Sequence, residues 1–210
     1  MKGISETPIS FETACSLKQL VFGSTTLPLP SGWINQSFGF SDKVKFGLVQ
    51  HRGGPCGVLA AVQAHIIKEN LDKFEEFSNW EKKDQYTGLA SGMASLLKIC
   101  LQGNVNNKPY CMVLPAMKDQ FAIQIGKFKA DTVTEKLCQY VIPNDEDLEF
   151  FLKTHIMDYT NPGTSGFAAN SIFSESFKHQ ELLERGQHNI PLSPNKNFVF
   201  QWFPKYSKPV

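Results

Sequence analysis

The sequence lacks a long apolar run, a strong net charge and paired cysteines. No apolar stretch approaches the roughly 20 residues that cross a bilayer, and residues 1–6 lack the apolar core of a secretory signal. The 21 basic and 20 acidic side chains leave a formal net charge of +1, so no long-range field favours nucleic acid or an anionic membrane. These absences predict a soluble intracellular protein, in the cytoplasm with the nucleus as a second location, that recognises its partner locally.

The five cysteines suggest neither a disulfide framework nor a zinc site. Their number is odd, their spacing is wide, and no Cys-x-x-Cys pair occurs. Most of them lie in apolar surroundings, as Cys100 and Cys111 do, where cysteine usually behaves as a small buried hydrophobe. Cys56 differs because it directly follows a glycine-rich turn.

The chain does contain enough apolar material for one compact domain. Hydrophobic residues make up 41% of the 210 residues and charged residues 20%, which is typical of a globular chain. A chain of this length buries roughly two-thirds to three-quarters of its unfolded surface. We therefore expect a single domain over residues 1–210.

The first half of the chain is predicted to be mostly helical. One helix begins after the N-cap Ser10 and ends near Gly23, and an amphipathic helix covers about residues 84–101. Between them, residues 45–50 have the pattern of extended chain, and the glycine-rich turn leads from this segment into a buried helix that runs to Lys68.

The second half is predicted to mix strands with short helices. Strand patterns cover residues 110–114 and 120–128, which are candidates to pair as a hairpin. A capping box at residues 132–135 predicts a short helix to about Tyr140, and Asn144 is predicted to cap another. A weaker helix pattern and a final strand pattern follow at residues 167–184 and 197–203.

Cys56 is predicted to lie at a helix N-terminus. A thiol acts as a nucleophile through its thiolate, and a helix N-terminus stabilises that anion through its dipole and unpaired N–H groups. Pro55 is favoured at the first helical position, and the two glycines before it allow a tight turn and a close approach of a substrate backbone. Gly57 keeps the other side open.

Gln50 is a candidate oxyanion donor. It lies six residues before Cys56, and the turn between them can fold its amide back toward the sulfur. An amide N–H there, together with the backbone N–H of Cys56, would hold the oxyanion of a tetrahedral intermediate, each donor contributing about 3 to 4 kcal/mol. This is a papain-type arrangement. From these residues alone the plainer alternative is favoured, in which Cys56 is a core cysteine and Gln50 a surface amide.

The segment from Phe46 to Gln63 resembles the active-site signature of the MINDY deubiquitinases and is closest to the branch with the longer catalytic domain. Upstream, residues 20–25, Trp33 and residues 36–41 are similar to the stretch that precedes the signature in that branch. Downstream, residues 126–131 also resemble a family segment. The three matches occur in the family's order, and the resemblance is strongest over residues 16–70.

The resemblance implies an α+β, papain-like cysteine protease fold. It further implies a deubiquitinase that hydrolyses isopeptide bonds in lysine-48-linked polyubiquitin, with Cys56 as nucleophile and Gln50 as oxyanion donor. The implied partner is ubiquitin or polyubiquitin. Neither a metal nor an organic cofactor is implied, and neither nucleic acid nor a membrane is expected as a partner.

The family's catalytic histidine has no match in this sequence. In the family it belongs to a late strand resembling Ser-His-Phe, whereas here Ser174-Glu175-Ser176 is followed by Phe177. Of the five histidines, His188 precedes the final predicted strand, where a papain-like fold could bring a base to the cysteine, but it lacks the family's flanking residues.

Two alternatives to an active enzyme follow from the missing histidine. The chain would then be a catalytically inactive ubiquitin-binding module, or a fragment or shortened form of a longer deubiquitinase with the papain-like fold incomplete at the C-terminus. A plain structural domain is a third hypothesis, which the signature disfavours.

Overall fold

A computed structural model of the protein describes residues 3–28, 30–51, 53, 55–101 and 109–161. Its helices are α1 (Phe11–Phe22), α2 (Ser31–Ile34), α3 (Cys56–Glu69), α4 (Lys82–Leu101), α5 (Asp145–Thr154) and α6 (Ile156–Thr160). Its strands are β1 (Ser5–Pro8), β2 (Tyr110–Pro115) and β3 (Leu137–Ile142), and 3₁₀ helices occupy Leu71–Asn79 and Thr134–Lys136. The described part of the chain is therefore α+β, as the sequence predicted.

The three strands form one antiparallel sheet in the order β1-β3-β2. Ser5 of β1 lies opposite Val141 of β3, and Tyr110 of β2 lies opposite Ile142. β2 is buried along most of its length, whereas all four residues of β1 are exposed at the sheet edge. Because β1 has no apolar periodicity, the sequence did not predict it.

Helix α1 begins after Ser10 and ends at Gly23, as the sequence predicted. The Ser10 side chain accepts a hydrogen bond from the backbone N–H of Thr13 at 3.1 Å, as an N-cap does. Gly23 has a φ of 70°, and its N–H donates to the Gln19 carbonyl at 3.0 Å. This left-handed conformation costs a glycine little, which is why the helix ends there.

Helices α3 and α4 pack closely against each other in the main core. Val62 and Ile66 of α3 and Leu89 and Met93 of α4 are fully buried there. A Cβ atom added to Gly92 would lie 2.8 Å from the backbone nitrogen of Ile66, so the two helices approach at a glycine because no side chain fits between them. The predicted helix over residues 84–101 is confirmed and begins slightly earlier, at Lys82.

The prediction of a strand over residues 120–128 is wrong. This segment consists of bends and turns, and Ile125 is 99% exposed, so the alternating apolar residues have no buried face to fill. Phe121 and Phe128 instead pack edge to face, with ring centroids 5.4 Å apart, beside Phe11 of α1. The predicted hairpin is wrong as well, because β2 pairs with β3.

The predicted helix from Thr132 to about Tyr140 is also wrong. Only Thr134–Lys136 is helical, as a single 3₁₀ turn, before the chain enters β3. Half of the predicted capping box exists, since Glu135 Oε1 accepts the N–H of Thr132 at 2.7 Å. The N–H groups of Val133 and Thr134, however, are bound by Asp131 Oδ1 at 3.0 and 2.7 Å, so a local turn forms without continuing as a helix.

Asn144 caps a helix as predicted. Its Oδ1 accepts the backbone N–H of Asp147 at 2.9 Å, and α5 follows. The apolar face of α5 is buried against α4, while Ile156 belongs to the separate short helix α6 beyond His155.

The helix and strand predicted at residues 167–184 and 197–203 lie outside the described residues. Within the described part, no helix combines the length and the apolar character needed to span a membrane.

Candidate active site

Cys56 is exposed and is the first residue of the 14-residue helix α3. Pro55 precedes it as the N-cap residue, so the helix begins one residue later than the sequence predicted. No side chain caps the helix start, and its first turn holds no acidic residue. The positive end of the helix dipole therefore faces the Cys56 thiol without a nearby carboxylate in the turn to oppose a thiolate.

Among the described residues, none crowds Gly53 in the turn that precedes Cys56. Gly53 is exposed, and a Cβ atom added to it would meet nothing within 4 Å. Pro55 is buried and anchors the turn to the body of the protein. Arg52 and Gly54, in the same turn, lie outside the described residues.

Gln50 is exposed at the end of the segment predicted to be extended. The prediction is wrong for Lys45 and Phe46, which form a turn, and the rest of the segment belongs to no regular strand of the described structure. A single antiparallel bridge joins Phe40 to Leu48. Two backbone hydrogen bonds flank the bridge, from Ser41 N–H to the Gly47 carbonyl and from Val49 N–H to the Gly39 carbonyl, both at 2.8 Å. The segment thus lies beside residues 39–41 and delivers Gln50 to the turn that leads to Cys56.

Gln63 attaches this segment to the helix of the candidate nucleophile. Its Oε1 accepts the N–H of Leu48 at 2.7 Å, and its Nε2 donates to the Phe46 carbonyl at 3.0 Å. Gln63 follows Cys56 by seven residues on α3, which is nearly two full turns, so both residues lie on the same helix face. The sequence analysis did not single out Gln63, although its spacing from Cys56 is a signal that could have found it.

The three histidines that the structure describes do not hydrogen-bond to Cys56. His51 is exposed in the turn. The ring nitrogen Nδ1 of His65 lies 3.0 Å from Ser95 Oγ, and that of His155 lies 3.1 Å from Asp158 Oδ2. His179 and His188 lie outside the described residues, so the structure does not test His188 as a base.

His65 takes part in a polar chain between α3 and α4. Ser95 Oγ donates to Glu69 Oε1 at 2.7 Å and lies within hydrogen-bond distance of His65. Burial lowers the pKa of His65, and the bond from the Ser95 hydroxyl lowers the pKa of Glu69. These contacts join the two helices, and burial keeps His65 neutral at pH 7.

The other described cysteines are less suited to act as nucleophiles. Burial raises the pKa of Cys15 and of Cys138, so their thiolates are scarce near neutral pH. Cys111 is buried in β2. All four described cysteines are free thiols, and among the described residues no group of three or more His, Cys, Asp and Glu side chains is arranged to hold a metal ion.

Comparison with known proteins gives a consistent set of relatives. Residues 18–180 match a family described as deubiquitinating enzyme MINDY-3/4, conserved domain. The chain is 33% identical over 194 residues to the human protein named probable ubiquitin carboxyl-terminal hydrolase MINDY-4, and 32% identical over 192 residues to the Mus musculus protein of that name. Each alignment covers 89% of this chain and 25% of the relative.

A second group of relatives aligns over a shorter region. The ubiquitin carboxyl-terminal hydrolase MINDY-3 of Xenopus tropicalis is 36% identical over 80 residues, which is 37% of this chain and 17% of the relative. The chain therefore spans about a quarter of the length of the MINDY-4 relatives and less of this one. No solved structure matches the chain significantly.

Proposed function

This chain belongs to the MINDY-3/4 family of deubiquitinating enzymes, and from that premise we propose that it is a cysteine-type hydrolase acting on isopeptide bonds in polyubiquitin. The observation that carries the proposal is the position of Cys56, exposed at the start of α3. The same helix holds, through Gln63, the segment that ends at Gln50. A nucleophile and an amide donor at one turn are two of the groups that papain-like chemistry uses, and we propose a papain-like fold for the domain.

In the proposed reaction the Cys56 thiolate attacks the isopeptide carbonyl carbon. A C–S bond forms, and the electron pair of the carbonyl π bond moves to the oxygen, which the Gln50 amide and the Cys56 backbone N–H stabilise. Collapse of this intermediate expels the lysine amine, which takes a proton from the general acid. Water then hydrolyses the thioester, and ubiquitin leaves with a free carboxylate.

The experiment that tests this proposal is labelling with ubiquitin that carries a vinyl electrophile at its C-terminus. We expect wild type to form a covalent adduct, Cys56→Ala to form none, and Cys15→Ala to react like wild type. Cys15 is the matched control because it is a free thiol whose pKa is raised by burial. An adduct that persists in Cys56→Ala would assign the reaction to another group.

Gln50→Ala tests the oxyanion donor. Loss of one such donor lowers kcat by about 10²- to 10³-fold in other hydrolases, so we expect a fall of that order in the cleavage of lysine-48-linked di-ubiquitin, with KM little changed. Unchanged kcat would remove Gln50 from the mechanism.

The general base of the proposed reaction is a histidine that accepts the thiol proton and later protonates the leaving amine. We propose His188 for this role because it precedes the final predicted strand, where a papain-like fold could bring a base to the cysteine. His188→Ala should abolish turnover while ubiquitin binding persists. Full turnover in this variant would refute the assignment.

A second candidate function is a ubiquitin-binding module without catalysis. It is favoured by the observation that none of the described histidines hydrogen-bonds to Cys56. Such a module would bind ubiquitin in calorimetry yet give no adduct with the vinyl probe and no cleavage of di-ubiquitin.

For the active enzyme we propose a preference for lysine-48-linked chains. It should then cleave these chains faster than lysine-63-linked chains. We also propose the cytoplasm, with the nucleus as a second location, which imaging of the tagged protein would test.

A further inference from the structure

Three glutamine side chains bind the backbone of the segment that leads to Gln50. Within the described residues this segment belongs to no sheet, so side-chain amides replace part of a strand's usual backbone partners. The contacts run from the Gln85 amide to the Lys45 carbonyl at 2.7 Å, from Gln63 to the Phe46 carbonyl and Leu48 N–H, and from Gln36 to the Val49 carbonyl and His51 N–H.

Gln36 is the most constrained of the three. It is only 3% exposed, and its Nε2 donates both to the Ser37 carbonyl at 2.6 Å and to the Val49 carbonyl at 2.8 Å. Its Oε1 accepts the N–H of His51 at 3.1 Å. A flipped amide would point the oxygen at two carbonyls and the donor at an N–H, so a single orientation satisfies all the partners.

The two groups that Gln36 binds in the extended segment belong to the peptide units on either side of Gln50. The Val49 carbonyl shares a plane with the Gln50 N–H, and the His51 N–H shares a plane with the Gln50 carbonyl, because each peptide unit is planar. When both planes are held, the two backbone torsions of Gln50 are held too. The buried side chain of Gln36 therefore helps to set the direction of the Gln50 Cα–Cβ bond.

Gln63 holds this segment against the helix that begins at Cys56. Its side chain binds the backbone of Phe46 and Leu48, and Gln50 follows Leu48 by two residues. Gln50 and Cys56 then flank the same turn, so the direction in which the Gln50 side chain leaves the backbone decides whether its amide can meet the oxyanion.

We propose that Gln36 is a positioning residue of the active site, which aims Gln50 at the oxyanion by fixing the peptide units before and after it. The inference rests on the proposed function and adds to it a residue that contacts neither substrate nor Cys56. Gln36 acts through Gln50, so its loss lowers kcat and leaves substrate affinity unchanged.

The first test compares Gln36→Met with Gln85→Met in cleavage of lysine-48-linked di-ubiquitin by the full chain. A misplaced catalytic group can cost about 100-fold in rate, so we expect Gln36→Met to lower kcat by about 10- to 100-fold with KM changed less than about twofold. Gln85→Met removes a similar amide-to-carbonyl contact at Lys45, away from Gln50. Its kcat should stay near that of wild type, whereas equal losses in both variants would overturn the inference.

The second test combines Gln36→Met with Gln50→Ala. If Gln36 acts through Gln50, its substitution changes kcat little once the Gln50 amide is gone, so the two effects are strongly non-additive. Additive effects would overturn the positioning role. Gln36→Asn, which keeps an amide but is too short by one methylene to hold both peptide units, serves where Gln36→Met fails to fold and should give the same non-additive pattern.

Two outcomes separate this inference from the proposed function. If wild type neither reacts with the vinyl probe nor cleaves di-ubiquitin, the proposed function falls and the positioning role falls with it. If wild type is active and Gln36→Met retains full kcat, only the inference falls. Hydrogen exchange supplies a readout independent of activity, since Gln36→Met should speed exchange of the His51 amide by about tenfold or more while Gln85→Met leaves it unchanged.

Discussion

Replacing Lys18 by methionine perturbs a buried ion pair that joins α1 to the turn before β3. The Lys18 ammonium lies 3.0 Å from Asp131 Oδ2, and the two side chains are 1% and 0% exposed. Lys18 Nζ also donates to the Lys129 carbonyl at 2.5 Å and stands 4.5 Å from the centre of the Phe128 ring. Methionine keeps most of the length and apolar packing of lysine, so the substitution mainly removes the charge and its hydrogen bonds.

The expected magnitude follows from what remains around Asp131. Removing one partner of a buried pair costs about 3 to 5 kcal/mol, because the other charge is left without compensation. Asp131 keeps the N–H groups of Val133 and Thr134 and the Thr134 hydroxyl, which donates to Oδ2 at 2.8 Å. These donors stabilise the carboxylate, so we expect Lys18→Met to lower the free energy of unfolding by about 3 kcal/mol, at the lower end of that range.

Urea denaturation followed by circular dichroism measures this loss. The exposed pair of Lys153 with Glu149, 4.0 Å apart, is the control, and Lys153→Met should cost less than about 0.5 kcal/mol. Combining Lys18→Met with Asp131→Asn should cost clearly less than the sum of the single changes, because the double variant leaves no unpaired buried charge. A loss below about 1 kcal/mol for Lys18→Met, or strict additivity in the double variant, would refute the reasoning.

Two further predictions concern the packing of α3 on α4. Gly92→Ala should lower the free energy of unfolding by about 1 to 3 kcal/mol despite the better helix propensity of alanine, because the new Cβ would lie 2.8 Å from the Ile66 nitrogen. Urea denaturation would measure this loss, and a stabilised variant would contradict the close approach of the two helices. Burial lowers the pKa of His65 from 6.5, so its contribution to stability is present above pH 6.5 and is lost as the pH falls through the folded-state pKa. His65→Gln should flatten this part of the stability profile in thermal melts at stepped pH, and an unchanged slope would assign the loss to other groups.

Local signals in the sequence were sufficient where a helix end depends on its own residues. Ser10, Gly23 and Asn144 act through hydrogen bonds or torsions within a few residues, and all three end or begin helices as predicted. The start of α3 at Cys56 was predicted on the same basis, to within one residue. Helix α3 carries the candidate nucleophile, so the position of Cys56 at a helix start could be predicted from sequence.

Tertiary contacts overrode the local signal between β2 and α5. The capping contact of Glu135 with Thr132 forms as its pattern predicts, yet the following residues pair with both β1 and β2. A central strand gains two ladders of hydrogen bonds, which a short helix cannot match in that position. Nothing within a few residues of Leu137 indicates those partners, and the alternating residues around Ile123 indicate a strand for which no buried face exists.

The two residues of the candidate site are held in place by different physical means. Cys56 is placed by α3, whose buried apolar face and close contact at Gly92 fix the helix on α4. Apolar packing tolerates modest changes of shape when volume is kept. Gln50 depends on the amide of Gln36, and hydrogen bonds weaken steeply when their angles change. Substitutions that relax the core should therefore change the stability of the protein first, whereas small changes near Gln36 should change the orientation of Gln50 before they change the fold.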